Sequence, residues 1–551
     1  MTTMGPGMRN LLTWAAVVLS AYTVAAAGQP ASPASAAAPK LAVMLVVDQM
    51  RADYVHRFKD DWTGGLHRMV SQGAWFTHAA FPYLTTVTCA GHATIATGAF
   101  PYLHGIFQNT WFDRANERTR ACTDDDSVKP LSYGRKAGEP ESATYLLLPT
   151  FAEAMRAERN ARVVALSMKA RSAIMLAGHV GDAVTWLNRS LDTWQTSTAY
   201  SAGPVPQVQA FVTANPIEAD YGRTWTRRLP AARYHEVDDA PGESPPKGWT
   251  TTFPHVLRGR TDGSTPDEEF YDQWERSPFP DAYLGRMSAA LVESMTLGQG
   301  NTTDVLAVSF SSPDLVGHAF GPRSQEVQDV YAHLDLTIGA LLDRLDELVG
   351  RGEYVVALSA DHGVNDIPEQ LQMKGREGGR FDTRALTDLL DRRAQVALGP
   401  GRHVARISGN DVYFAPGAYA KLIAAGAVEG VVATLAAQPG VAKVYRGEDL
   451  RRSRTAGDPL LRAAALSYVQ GRSGDLIIVP RTGWMFSARG TTHGTASPED
   501  QQVPILLFGR GIKPGRYEEP VTPADVAPTL AALCGITMPR ADGRPLRAAL
   551  R

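Results

Sequence analysis

The feature that most constrains this chain is an apolar run that recurs along the sequence and in several cases ends in polar or charged residues. Residues 41–47 read LAVMLVV and are followed directly by Asp48. An apolar run without polar alternation is typical of a strand that is buried on both faces. The same pattern recurs in ARVVALSMKAR, TDVLAVSFSSPD, EYVVALSADHG, GDLIIVP and QQVPILLFG, at residues 161–171, 303–314, 353–363, 474–480 and 501–509.

Helical patterns lie between these runs, and the clearest covers residues 324–350. Its apolar residues recur at the helical period, Ser324 is a suitable N-cap, and Gly350 is a suitable end. Buried strands that alternate with helices predict an α/β fold with a doubly wound, mostly parallel sheet. Ligands of such sheets bind outside the carboxyl ends of the strands, so polar residues at those ends are candidates for a single site.

Two stretches interrupt this alternation. Residues 195–290 are rich in Pro, Trp, Asp and Arg, and residues 385–470 mix helical and short strand signals. We predict one catalytic domain over residues 41–545, in which these two stretches are insertions that form a cap on the core.

The N-terminal 27 residues have the three parts of a secretory signal peptide. Arg9 precedes an apolar stretch, and three alanines at 25–27 offer a cleavage site. The alternative, an uncleaved membrane anchor, is disfavoured because Ser20 and Tyr22 interrupt a stretch that is already short for a membrane span. Residues 28–40 are predicted to be a flexible linker. No later segment is apolar enough to span a membrane, so we expect a soluble mature protein in the periplasm or outside the cell.

Charge and cysteine content narrow the functional classes. The formal net charge is −2, which gives no electrostatic basis for a nucleic-acid or anionic-membrane partner. The three cysteines, Cys89, Cys122 and Cys534, leave at least one unpaired in a monomer, and their spacing does not select a pair. The sequence has no C-x-x-C motif, which argues against a thiolate metal site.

Carboxylate and imidazole side chains cluster at or after the predicted strand ends. They are Asp48, Asp314, His318, Asp361, His362 and, in the loop GTTHGTAS, His493. Asp314 and His318 are four residues apart, which puts both on one face of a helical turn. Zinc accepts such oxygen and nitrogen ligands, with three from the protein at an open site. Each residue alone is compatible with an ordinary hydrogen-bonding role, but the six together suit two zinc ions.

The ordered motifs VVDQM, TVTCAGHATIATG, SPDLVGH, SADHG and THGT resemble the alkaline phosphatase superfamily, in the branch related to nucleotide pyrophosphatase/phosphodiesterases. The resemblance covers about residues 41–540. It implies one zinc ion held by Asp314, His318 and His493. It implies a second zinc ion held by Asp48, Asp361 and His362, with Thr88 also coordinated.

Thr88 stands at the start of a predicted short helix. Considered alone, its hydroxyl suits an ordinary helix N-cap. Beside zinc and a helix N-terminus, the pKa of the hydroxyl falls and Thr88 becomes a nucleophile that forms a phosphothreonine intermediate. The neighbouring Cys89 is a weaker candidate nucleophile, because the ligand set suits an oxygen nucleophile better. We interpret His92, for which no ligand position is left, as a structural hydrogen-bonding residue.

A second set of residues bears on the substrate. Lys169 and Arg171 end the predicted strand VVALSMKAR, and residues two apart in an extended segment point to the same face. Both side chains can therefore reach one anion, and Asn109 in GIFQNTWFD adds an amide donor. Bacterial alkaline phosphatases of the branch that this chain resembles have an Asn and a Lys-x-Arg pair at the phosphoryl oxygens, whereas phosphodiesterase relatives generally lack the pair.

These observations predict a secreted phosphatase with two zinc ions that acts on small phosphate monoesters and is a monomer. The alternative within the superfamily is a phosphodiesterase or nucleotide pyrophosphatase. A sulfatase is disfavoured because Cys89 lacks the C-x-P-x-R context, and the export signal disfavours a phosphoglycerate mutase. A non-catalytic binding protein on the same fold would have lost ligands, and all six are present.

Overall fold

The computed structural model describes residues 38–134, 138–188, 193–260 and 263–551. The predicted signal peptide, residues 1–27, and residues 28–37 of the predicted linker lie outside the described residues. Within the described ranges no single helix is long and apolar enough for a membrane span. One helix pair bent by 108°, Ala418–Ala424 with Val428–Ala436, meets the length and composition criterion only when both helices are counted together.

The strands are numbered in chain order. They are β1 (Leu41–Val47), β2 (Ala74–Ala80), β3 (Thr110–Asp113), β4 (Arg118–Ala121), β5 (Pro130–Ser132), β6 (Val163–Ser167), β7 (Ala183–Asn188), β8 (Thr193–Ser197), β9 (Thr224–Trp225), β10 (His255–Val256), β11 (Asp304–Phe310), β12 (Tyr354–Ser359), β13 (Gly379–Arg380), β14 (Val404–Ser408), β15 (Asp411–Phe414), β16 (Val441–Arg446), β17 (Leu476–Pro480), β18 (Trp484–Met485), β19 (Gln502–Gly509) and β20 (Gly515–Tyr517).

The α-helices are also numbered in chain order. They are α1 (Ala52–Phe58), α2 (Gly65–Gln72), α3 (Thr88–Thr97), α4 (Pro101–His104), α5 (Phe151–Arg159), α6 (Ala170–Ala177), α7 (Pro206–Ala214), α8 (Glu268–Glu275), α9 (Phe279–Ser294), α10 (Ser312–Phe320), α11 (Gln325–Leu345), α12 (Pro368–Met373), α13 (Thr383–Leu398), α14 (Ala418–Ala424), α15 (Val428–Ala436), α16 (Gly447–Leu450), α17 (Pro459–Ser467), α18 (Pro498–Gln501) and α19 (Val526–Cys534).

A ten-stranded mixed sheet forms the centre of the fold, in the order β20-β2-β19-β12-β1-β11-β6-β7-β8-β5. The five central strands, β12, β1, β11, β6 and β7, are mutually parallel. In register, Leu45 of β1 pairs with Val308 on one side and Leu358 on the other. The carboxyl ends of these central strands therefore meet at one edge of the sheet, as the sequence predicted.

Helices cover both faces of this sheet, which confirms the doubly wound α/β fold. Along β1, alternate residues such as Val43 and Leu45 pack in one core cluster with Tyr331 of α11. Met44 and Val46 pack in a second cluster, on the opposite face, with helices that include α3 and α6. The periodic segment after Ser324 forms α11, and the Ser324 side chain accepts a hydrogen bond from the Val327 N–H at 3.1 Å, as an N-cap does. A π-helical turn continues α11 to Gly350.

The two apolar runs near the C-terminus form strands that do not extend the parallel arrangement. Residues 476–480 form β17 in a separate four-stranded sheet, β14-β15-β17-β16, whose pairs are all antiparallel. Residues 502–509 form β19, which is antiparallel to β12 and β2. Partner and direction depend on the chain path between strands, which an apolar run does not encode.

The two predicted insertions differ in their packing. In residues 195–290, Trp225 and Trp274 pack in the same core cluster as Tyr331 of α11. In residues 385–470, Leu390 and Phe414 form a separate cluster together with Ile478 of β17. The assignment of both stretches as cap-forming insertions remains a prediction.

Candidate active site

The candidate site lies at the carboxyl edge of the parallel strands. Asp48 directly follows β1, Asp361 comes two residues after β12, and Asp314 lies in the first turn of α10, just after β11. Lys169 follows β6. All four side chains are buried. Because parallel strands end at a common edge, residues separated by up to 313 positions in the chain converge here.

One ligand set consists of Asp314, His318 and His493. Asp314 Oδ1 lies 3.1 Å from His318 Nε2 and 3.7 Å from His493 Nε2. The i, i+4 spacing of Asp314 and His318 lies within α10, as predicted, and the three ligand atoms are close enough to share one metal ion.

The second predicted ligand set is Asp48, Asp361 and His362. His362 Nε2 lies 3.5 Å from Asp48 Oδ1 and 3.4 Å from Asp361 Oδ2. Asp48 Oδ1 and His362 Nε2 are buried and have no hydrogen-bond partner among the described residues, and the buried Asp361 Oδ2 lies 3.1 Å from His92 Nδ1. Unsatisfied buried polar atoms are costly unless a ligand completes them, so their convergence fits a bound cation. Among the described residues, the group at this position whose ligand atoms are close enough together to share a cation is Asp48, Asp314 and His362, so Asp314 is common to both groups.

The three histidines are oriented alike. Each Nδ1 lies within hydrogen-bond distance of a backbone carbonyl oxygen, which leaves Nε2 to face the site. The pairs are His318 with Thr491 at 2.7 Å, His362 with Gly363 at 2.9 Å, and His493 with Thr86 at 2.8 Å. A carbonyl accepts only from a protonated nitrogen, so in the neutral imidazole Nε2 keeps the lone pair that a metal needs. Burial lowers the pKa of His362 and of His493, which favours the neutral, metal-binding form.

The charge balance at this edge is negative. Burial, together with the Asp314 and Asp361 carboxylates, raises the pKa of Asp48 well above its usual value. The Lys169 ammonium offsets part of this charge: its Nζ donates to Asp48 Oδ2 at 2.6 Å and also to Asp314 Oδ2. Burial opposes the ammonium charge, but the Asp314 and Asp48 carboxylates raise the pKa of Lys169. Three buried carboxylates beside one ammonium leave a deficit of positive charge that a metal would fill.

Thr88 is the first residue of α3, the helix whose Gly91 and His92 contact Asp361. The N-cap position belongs to Val87, and no side-chain hydrogen bond caps the helix, so Thr88 does not serve as the N-cap. The helix is buried throughout its length. Gly91 permits this close packing, because a Cβ there would lie 2.1 Å from the backbone oxygen of Asp361.

His92 forms hydrogen bonds from inside α3. Its Nε2 lies 2.8 Å from Ser309 Oγ, and its Nδ1 lies 2.9 Å from the Thr88 carbonyl oxygen. The same Nδ1 is 3.1 Å from Asp361 Oδ2. The prediction of a hydrogen-bonding histidine is thus compatible with the structure, which adds a contact to one predicted ligand.

Asn109 is joined to the start of α3 through Cys89. Its Oδ1 accepts a hydrogen bond from the Cys89 N–H at 2.9 Å, and its carbonyl accepts from the Cys122 N–H at 2.9 Å. Cys89 and Cys122 form a disulfide, which removes Cys89 as a free nucleophile and resolves the pairing that the sequence left open. Cys534 is free and buried, and burial raises the pKa of its thiol to about 12.

Lys169 and Arg171 do not lie on one extended segment, and this expectation was wrong. Strand β6 ends at Ser167, Lys169 is the N-cap of α6, and Arg171 lies in the first turn of that helix. The strand ends early because the chain turns into α6. Arg171 Nε is buried without a hydrogen-bond partner among the described residues.

Two buried side chains that the motifs did not single out also contact the site. Gln49 Nε2 donates to Asp314 Oδ1 at 2.6 Å. Asn410, in the turn between β14 and β15, donates from Nδ2 to the carbonyl oxygen of Gly494, next to His493, at 2.7 Å. The position of Gln49 directly after Asp48 was a usable signal, whereas nothing near Asn410 in the sequence indicated its contact.

This fold and these side chains define an α/β protein with a metal-compatible cluster of carboxylates and imidazoles at the carboxyl edge of its parallel strands. Residues 42–500 match the family model described as "Type I phosphodiesterase / nucleotide pyrophosphatase", and the chain belongs to this family. The assignment to the alkaline phosphatase superfamily is thereby confirmed.

Relatives extend over nearly the whole chain. The alkaline phosphatase PhoV of Synechococcus elongatus is 32% identical, over 92% of this chain and 92% of PhoV. The alkaline phosphatase PhoK of Sphingomonas sp. is 32% identical, over 93% of this chain and 91% of PhoK. The crystal structure of wild-type alkaline phosphatase PafA has a TM-score of 0.85 and 30% identity, and covers 94% of this chain and 99% of that chain.

Proposed function

We propose that this protein is an exported, zinc-dependent alkaline phosphatase that hydrolyses phosphate monoesters through a phosphothreonine intermediate. The observation that carries the proposal is that two metal-compatible groups lie against the helix that Thr88 begins: His493 Nδ1 lies 2.8 Å from the Thr86 carbonyl oxygen, and Gly91 packs against the Asp361 backbone. The names of relatives that are about 30% identical over nearly the full chain support hydrolysis of phosphate monoesters as the activity.

The residues present fit zinc, because they offer imidazole nitrogens that face the site and buried carboxylate oxygens. One ion would be held by Asp314, His318 and His493, and the other by Asp48, Asp361, His362 and Thr88. Bound zinc would lower the pKa of a coordinated hydroxyl and offset the negative charge of the phosphoryl group.

Thr88 is the proposed nucleophile. Its oxygen attacks the phosphorus atom, a bond from phosphorus to Thr88 forms, and the bond from phosphorus to the ester oxygen breaks. The Thr88 hydroxyl releases its proton to solvent, and the departing alkoxide takes a proton from solvent and leaves as the alcohol. Water then attacks the phosphorus of phosphothreonine, which releases inorganic phosphate and restores the Thr88 hydroxyl. The N-terminus of α3 favours negative charge on the Thr88 oxygen.

Asn109, Lys169 and Arg171 are the proposed contacts to the phosphoryl oxygens. The Asn109 Oδ1 already accepts from the Cys89 N–H, so its amide hydrogens remain available to donate. Lys169 uses two of its three N–H groups on Asp48 and Asp314, which leaves one for substrate. The unpaired Nε of Arg171 can donate as well. A monoester dianion carries one more charge than a diester, so these cations favour monoesters.

The same proposal includes export to the periplasm or the medium, a monomeric state and no nucleic-acid partner. Export is supported by the charged, apolar and small-residue segments of residues 1–27. The absence of a nucleic-acid partner is supported by the net charge of −2.

A phosphodiesterase is the second candidate, because the matching family model bears that description. The two activities are separated by kcat/KM of the zinc-loaded protein on p-nitrophenyl phosphate and bis-p-nitrophenyl phosphate. We expect the monoester to be preferred by a wide margin. Preference for the diester would overturn the proposed substrate class, and turnover that survives removal of metal by a chelator would overturn the proposed zinc dependence.

A further inference from the structure

Gln49, which lies just after strand β1, has an unusual backbone conformation. It follows Asp48 directly and has a φ of 67°, in the left-handed region that side-chain-bearing residues seldom adopt. In this conformation its backbone N–H donates to Asp361 Oδ1 at 3.1 Å. This bond engages Oδ1 of Asp361, whereas Oδ2 lies 3.4 Å from His362 Nε2 and 3.1 Å from His92 Nδ1.

The side chain of Gln49 reaches the other ligand set. Gln49 is 1% exposed, and its Nε2 donates to Asp314 Oδ1 at 2.6 Å. That oxygen is the one that lies 3.1 Å from His318 Nε2 and 3.7 Å from His493 Nε2. One residue therefore holds a carboxylate of each set, through its backbone in one case and its side chain in the other.

The opposing helix leaves room for this side chain. Gly317 lies in α10, between Asp314 and His318, and a Cβ at position 317 would lie 2.0 Å from Gln49 Oε1. Such a contact is far below van der Waals distance, so the glycine is required while the Gln49 side chain keeps its hydrogen bond.

We propose that Gln49 is a positioning residue that sets the orientation of Asp314 and Asp361 and thereby the relation between the two metal positions. This inference rests on the proposed function. Hydrogen bonds to metal-ligating carboxylates orient them, and removing such partners typically lowers metal affinity by about 10–100-fold.

Two variants separate the contribution of the Gln49 side chain from that of its backbone N–H. Gln49→Met keeps the length of the side chain but cannot donate, and Gln49→Gly removes the side chain while tolerating the left-handed backbone that aims the N–H at Asp361. Gln273→Ala is the matched control, since Gln273 is also 1% exposed but bonds to Arg258, Gly259 and Lys247 instead.

The readout is zinc affinity, measured by competition with a chromophoric chelator and accompanied by thermal unfolding of the metal-free protein. For Gln49→Met and Gln49→Gly we expect one of the two zinc-binding steps to weaken by about 10–100-fold. Saturating zinc should restore most of kcat. The control should retain both steps of the wild-type titration.

Gly317→Ala tests the same contact from the opposite side. Alone, it should weaken the same zinc-binding step. When it is combined with Gln49→Gly, which removes the atom that the new Cβ would meet, it should add no further loss. Additive losses in the double variant would overturn the inference.

The outcomes distinguish this inference from the proposed function. Suppose that the wild-type protein binds two zinc ions and hydrolyses the monoester, but the Gln49 variants bind both zinc ions with wild-type affinity. The positioning role alone is then refuted. If the wild-type protein needs no zinc for turnover, the proposed function and the positioning role both fail.

Discussion

The close packing of α3 against the loop that carries Asp361 can be tested with one added methyl group. In Gly91→Ala the new Cβ would lie 2.1 Å from the Asp361 carbonyl oxygen and 2.6 Å from its carbonyl carbon. Both atoms belong to the backbone and cannot rotate away. The helix and the loop must therefore separate by roughly 1 Å to restore an ordinary carbon–oxygen contact.

This separation moves Thr88, at the start of the helix, away from Asp361, His362 and their metal position. A displacement of about 1 Å in a catalytic constellation costs about 100-fold in rate, and overpacking a core costs about 1–3 kcal/mol of stability. We therefore expect kcat/KM on p-nitrophenyl phosphate to fall about 100-fold in Gly91→Ala while the protein still folds.

The assay compares kcat/KM, zinc content and thermal unfolding with those of Gly430→Ala. Gly430 is also a helical glycine, in α15, but its added Cβ would meet only the flexible guanidinium end of Arg393, at 1.9 Å. The control should therefore keep wild-type turnover. Wild-type kcat/KM in Gly91→Ala would refute the argument that the helix must approach the loop this closely for catalysis.

Three further changes probe separate parts of the molecule. Thr88→Ala should lower turnover by at least about 1,000-fold while zinc stays bound, and near-wild-type turnover would exclude Thr88 as the nucleophile. Lys169→Ala combined with Arg171→Ala should reduce kcat/KM for the monoester far more than for the diester; an equal loss on both would mean that the pair does not recognise the extra charge. Burial lowers the pKa of His104 to about 3, whereas the unfolded chain restores a value near 6.5. Unfolding therefore takes up a proton below about pH 6.5, and stability falls as the pH falls from there towards 3. His104→Asn should show a shallower loss of thermal stability over this range, and an unchanged slope would show that another group controls acid unfolding.

Local patterns in the sequence were sufficient to predict many of the strands and helices of the fold. The apolar run before Asp48 and the run before Asp361 were sufficient to predict buried strands, because a strand covered on both faces has little room for polar residues. The spacing of Asp314 and His318 predicted a shared helical face, and Ser324 predicted a helix start. Each of these inferences depends on residues within a few positions of one another.

Other features depended on contacts between distant parts of the chain. The directions of β17 and β19, and the turn into α6 that separates Lys169 from Arg171, follow from how the chain returns to the sheet. The sequence allowed any of three cysteine pairs. The structure pairs Cys89 with Cys122, because the fold brings these two residues together.

The sequence by itself determined which side chains follow the buried strands, because apolar runs and helical periodicity can be recognised from residues that are neighbours in the chain. Only the tertiary structure decided how those side chains are held. Gln49 reaches Asp314 across 265 positions, and Asn410 holds the loop of His493 across 84. Such contacts leave no local periodicity, since they form only when the sheet and its helices place distant residues side by side.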